Sequence, residues 1–114
     1  MYTINRGVAV IKPRQPYLDW IRNLPDPDDE ITLDALRDEC TAILVPEDSN
    51  NLVVMEFINA NHEWIFEVEL ESWWTDDADW PAKRDWETFC KWFDVEYHSV
   101  VIDPSDEAIC KEDY

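Results

Sequence analysis

The sequence predicts a small mixed domain, α/β or α+β. It consists of a three-stranded sheet covered by helices in the order β-α-α-β-α-α-β. Three observations carry this expectation. Apolar residues recur at i, i+3, i+4 and i+7 in several stretches, the period of a helix with one buried face. Short runs rich in Val and Ile, closed by proline, lie between those stretches. The length of 114 residues, 46% of them hydrophobic, fits one core and one domain. That domain is expected over residues 1–104, with a polar C-terminal tail over 105–114.

Each element has its own signal. Val8 to Ile11 reads as the first strand, stopped by Pro13. Pro16 suits a first helical turn, and Tyr17, Trp20, Ile21 and Leu24 then fall on one face. Pro25 and Pro27 end that helix. Thr32 is placed to cap the next, with Asp34 in its first turn and Leu33, Leu36 and Cys40 on one side. Thr41 to Val45 is the second strand, closed by Pro46. Asp48, Ser49, Asn50 and Asn51 form a turn-and-cap cluster before the longest element.

In that element Leu52, Met55, Ile58, His62, Ile65, Phe66 and Trp73 keep helical spacing. The apolar start, Leu52 to Ile58, also suits a strand paired with Thr41 to Val45. The period continues past Asn59 and so favours the helix. A further helix is expected to begin at Asp79 or Trp80, with Pro81 in its first turn and Trp86, Phe89, Cys90 and Phe93 buried. Lys83, Glu87 and Lys91 are spaced to pair on its outer side. Val95 to Ile102 is the third strand, ended by Pro104. Helical crossovers of these lengths permit parallel pairing but leave strand direction open.

The single glycine, Gly7, argues against a glycine-rich phosphate loop. The formal net charge of −18 disfavours nucleic acid and anionic membranes as direct partners. Three widely spaced cysteines, Cys40, Cys90 and Cys110, make no disulfide framework and suit a reducing, cytoplasmic setting. Neither a secretion signal nor an apolar run long enough to span a membrane is visible.

The acids are unevenly placed. Between Arg37 and Lys83 stand twelve acidic residues and no Lys or Arg. On a helix Glu63, Glu67 and Glu71 stack at i, i+4, with Glu56 near the same face. Like charges at that spacing destabilise a helix slightly, and an ordinary solvated face mixes Lys with Glu. Asp76, Asp77 and Asp79 follow in a loop bracketed by Trp73, Trp74 and Trp80, and Trp92 lies off the buried stripe of its helix. Such Trp residues either pack between helices or anchor a partner, while acids at the rim steer it in.

The candidate partner-binding set is therefore Glu56, Glu63, Glu67, Glu71, Asp76, Asp77, Asp79, Trp74, Trp80 and Trp92, facing a basic protein. An idle acidic face and a metal site are the other readings of the same residues. Asp26, Asp28, Asp29 and Glu30 lack the Gly and closing Glu of a calcium loop. Catalysis has no local signature: His62 falls on an apolar face, and His98 and Ser99 point to opposite sides of a strand. No cofactor motif is present.

Trp80-Pro81-Ala82-Lys83-Arg84-Asp85 and the run from Trp92 to Asp103 resemble the C-terminal part of a family of short, acidic, uncharacterised bacterial proteins. The opening Val10 to Pro16, with Leu24-Pro25-Asp26-Pro27, is similar to the start of that family. The resemblance implies a bacterial cytosolic protein and no particular activity. Element order and acidity are also similar to small inhibitors of basic nucleases of the barstar kind, at the level of fold only. The expected function is a non-enzymatic interaction protein of antitoxin, immunity or nucleic-acid-mimic type. The alternatives are a small metal-dependent enzyme using clustered carboxylates, or a structural dimerisation module. Oligomeric state is left open by the sequence.

Overall fold

A computed structural model of the chain describes residues 1–47 and 50–114. Asp48 and Ser49 of the expected turn-and-cap cluster lie outside the described residues. The elements are β1 (Tyr2–Thr3), β2 (Arg6–Pro13), α1 (Gln15–Arg22), α2 (Leu33–Asp38), β3 (Thr41–Pro46) and α3 (Asn51–Glu71). A short 3-10 turn (Asp77–Asp79), α4 (Trp86–Trp92), β4 (Phe93–His98) and β5 (Ile102–Asp103) follow. The molecule is a mixed α+β fold.

The main sheet has three strands in the order β3-β2-β4, and both outer strands run antiparallel to β2. The parallel pairing that the crossover lengths permit does not occur. Instead β3 and β4 run the same way on either side of β2, and α3 and α4 make the crossover between them.

Alternation along β2 explains why only one face of the sheet is covered. Gly7, Ala9, Ile11 and Pro13 are buried, while Val8, Val10 and Lys12 between them are half-buried. Across the covered face, Ala9 and Ile11 meet Tyr17, Leu18 and Ile21 of α1, Leu36 of α2, and Val54, Ile58, Ile65, Phe66 and Leu70 of α3. Phe66, Phe89 and Phe93 pack as an aromatic cluster with ring centroids 5.2–6.0 Å apart. Gly7 is required by a close approach. A methyl group there would stand 2.6 Å from Cε1 of the Tyr97 ring.

Caps set most helix starts. The Thr32 hydroxyl accepts the Ala35 amide, the Asn50 side chain accepts the Leu52 amide, and Asp85 accepts the Thr88 amide. The last of these corrects an expectation. The helix expected from Asp79 or Trp80 begins only after Asp85. Asp76 spends its carboxylate on the Ala78 amide, which closes the 3-10 turn. The Trp80 indole donates to the carbonyl of Trp74, pulling the chain back instead of forward into a helix.

The expected order is corrected by two short strands. The strand read over Val95 to Ile102 divides into β4 and β5, and β5 pairs antiparallel with β1 in a second, two-stranded sheet. The two chains bend at Asn5 and Ser99. The Ile4 amide bonds to the Val101 carbonyl, and Val8 stands opposite His98. The N-terminal chain therefore carries one residue more than its partner across the bend, the count of a β-bulge.

The segment 104–114 forms no helix or strand. Its Ile109 and Lys111 lie beside Leu44 and Arg6, and the Tyr2 hydroxyl donates to Asp106. No described helix is long and apolar enough to cross a membrane.

Candidate functional site

α3 carries five acids, Glu56, Glu63, Glu67, Glu69 and Glu71, and no Lys or Arg. Its buried residues, Val54, Ile58, Ile65, Phe66, Glu69 and Leu70, fix which side faces the sheet. The opposite side follows from helical spacing. Glu56, Glu63, Glu67 and Glu71 are all exposed there. Glu63, Glu67 and Glu71 form an i, i+4 ladder in which neighbouring side chains rise about one turn apart.

No ion pair between described residues reaches the ladder, so no Lys or Arg among them is paired with it. Among the described residues, the ion pairs fall on Asp85, Glu87, Asp94 and Glu96. Lys12, Arg14 and Arg37 converge on Asp94 and Glu96. Arg22 is spent on the carbonyl of Ile31, and Arg84 on that of Pro81 and on the Trp80 ring. The last turn of α3 has no basic residue. The partial negative charge at a helix C-terminus, ordinarily offset by Lys, Arg or His, therefore adds to Glu71 and to the loop that follows.

In that loop Asp76, Asp77 and Asp79 are exposed, and tryptophans hold its shape. The Trp74 indole donates to the Asp79 carboxylate at 2.9 Å, and the Trp20 indole to the Asp79 carbonyl at 3.0 Å. The Trp80 indole donates to the Trp74 carbonyl at 2.7 Å. Trp74 and Trp80 are thus half-buried staples of the acidic loop. Trp92 packs inward, with its ring centroid 5.3 Å from that of Phe66, 6.2 Å from Tyr17 and 6.3 Å from Trp20. Its position at the end of α4, rather than on the helix stripe, brings it into the core between α1 and α3.

One aromatic outside the sequence-derived set stands on the acidic face. Trp64 is 46% exposed. It lies three residues before Glu67 and seven before Glu71, spacings that place it beside the ladder. Its indole donates to the Asn61 side chain at 2.8 Å, which holds the ring against its own helix. The sequence signal was present: Trp64 falls off the buried period of Ile58, Ile65 and Phe66.

The other candidates disperse. His62 is half-buried, its ring edge-on to Trp86 and Phe89. His98 pairs with Glu96 at 3.1 Å on the uncovered face of the sheet. Cys40, Cys90 and Cys110 are all free thiols, and burial raises the pKa of Cys40 and Cys90. Among the described residues, no three His, Cys, Asp or Glu side chains converge as a metal site requires. Comparison of the chain with protein families, characterised proteins and solved structures gave no match.

Proposed function

We propose that this chain is a non-enzymatic interaction protein that captures a basic protein surface. The observation that carries the reading is the uncompensated ladder Glu56, Glu63, Glu67 and Glu71, flanked by the exposed Trp64. Asp76, Asp77 and Asp79 extend the negative field past the end of the helix.

The mechanism has two stages. A net charge of −18, to which α3 and its following loop contribute eight acids and no Lys or Arg, attracts a cationic partner from beyond contact range and raises the encounter rate. Trp64 then supplies the desolvated anchor that charge alone does not give, since Trp is enriched among residues that dominate binding energy. Trp74 and Trp80 act by holding the loop acids in place. Antitoxins, immunity proteins and nucleic-acid mimics all work by this division of labour.

A Lys/Arg-rich peptide of about twenty residues, titrated against the protein's tryptophan fluorescence, tests the reading. Binding is expected to weaken at least tenfold between about 50 and about 300 mM salt, because the screening length of exposed charges falls from about 14 Å to about 6 Å over that range. Trp64→Ala should remove most of the fluorescence change and most of the affinity while leaving the thermal melt unaltered. Binding that ignores both salt and Trp64 contradicts the reading.

A further inference from the structure

We propose that the cavity between α2, the start of β3 and the C-terminal end of α3 is a receptor for a single alkylammonium or alkylguanidinium group, with Glu69 as the carboxylate that holds it. The cavity encloses about 250 Å³. Tyr17, Leu36 and Trp73 give it aromatic and aliphatic walls, and Glu39, Thr41 and Glu69 supply polar groups. It lies apart from the exposed ladder, on the inward side of α3.

Glu69 is the only charged residue among those described that is buried, at 7% exposure. Its carboxyl bonds to Thr41, another wall residue, while its Oε1 has no hydrogen-bond partner. The hydroxyls nearest to it are committed elsewhere. Tyr17 and Ser72 both donate to the main-chain carbonyl of Glu69 and not to its carboxyl. Among the described residues, no Lys or Arg bonds to the Glu69 carboxyl. Arg37, at the end of α2, bonds instead to the Pro13 carbonyl and to Asp94. Burial raises the Glu69 pKa, and Thr41 only partly opposes the shift.

The missing partner defines the guest. An anion would meet Glu69 and Glu39 together and be repelled. A purely apolar guest would leave Oε1 unsatisfied. A cationic N–H donor on an alkyl stem meets every requirement: the head reaches the carboxylate, the stem lies along Leu36, and the ring faces of Tyr17 and Trp73 attract the charge. Two sources share this chemistry, a free small amine or guanidine and a Lys or Arg side chain of a partner protein. Only the second rests on the docking function proposed above.

Titration of the whole protein with n-butylguanidinium and n-butylammonium, followed by amide NMR shifts, tests the proposal. Saturable shifts are expected at Thr41, Glu69 and Trp73, and n-butanol should produce none. Glu69→Gln should weaken binding at least tenfold, and Glu39→Gln, an exposed residue at the cavity, should weaken it severalfold. Glu67→Gln should change it less than twofold. A short Arg-containing peptide that displaces the small cation and binds at least tenfold more tightly identifies a partner side chain as the guest; a weaker peptide identifies a free small molecule. Absence of saturable shifts, or a Glu69→Gln variant that binds as well as the parent, overturns the proposal. Either result leaves the salt-dependent binding at Trp64 as a separate question, because that surface does not include Glu69.

Discussion

Between Arg37 and Lys83 the described acids are exposed, except for Glu69, which turns inward from α3. Helical spacing left it out of the ladder of Glu63, Glu67 and Glu71 without showing that it is buried. Glu67, Glu69 and Glu71 alternate with Phe66, Val68 and Leu70, so counting acids gives a stripe, whereas the helix places Glu69 beside Ile65 and Phe66. Burial holds the proton on Glu69 to higher pH in the folded chain than in the unfolded one. The folded state is then the better proton binder, and stability falls as pH rises through the ordinary carboxylate range and through the raised folded value. Glu69→Gln removes that cost. Thermal or denaturant unfolding should show the variant more stable at neutral pH by about 1–3 kcal/mol. The gain should close below about pH 4, where the unfolded carboxylate is also protonated. An equal effect at both pH values would mean that charge burial is not the cause.

At the scale of elements, local chemistry located most of the fold. Thr32 capped α2 as its hydroxyl and spacing predicted, and the helical period past Asn59 decided α3 against a hairpin. Two features were settled by long-range contacts instead. α4 begins after Asp85 because the tryptophan-stapled loop, tied to the distant Trp20, consumes the stretch before it, and β5 exists because the N-terminus offers it a partner. Neither partner is adjacent in sequence. Gly7 belongs to the same class. Its need arises from Tyr97 on β4, across the sheet. Gly7→Ala should push that ring away and destabilise the protein by about 1–3 kcal/mol, read as a lower denaturant midpoint at unchanged slope. A neutral substitution would show that Tyr97 moves aside freely. Within α3, the Glu63→Gln, Glu67→Gln, Glu71→Gln triple variant should stabilise the helix by a few tenths of a kcal/mol per relieved pair. Such a cost is what the proposed docking surface would carry.

At the scale of the whole molecule, charge is partitioned. Lys12, Arg14 and Arg37 pair with Asp94 and Glu96 of β4, and Lys83 and Lys91 with Asp85 and Glu87 around α4, while α3 and its loop carry no Lys or Arg. This asymmetry was legible as a gap between Arg37 and Lys83. The inward cavity at Glu69 was not, since it depends on which side of α3 meets the sheet, and Trp64 was signalled only by falling off the buried helical period.

The direct measurement compares two triple variants of equal charge change. One is Glu63→Gln, Glu67→Gln, Glu71→Gln; the other is Asp26→Asn, Asp28→Asn, Asp29→Asn in the loop before α2. Affinity for the same Lys/Arg-rich peptide is read at several salt concentrations. Docking on the outer side of α3 predicts that the first variant loses at least tenfold in affinity and much of its salt slope, while the second stays within about twofold. Equal losses in both would show that net charge acts alone and that no particular surface receives the partner.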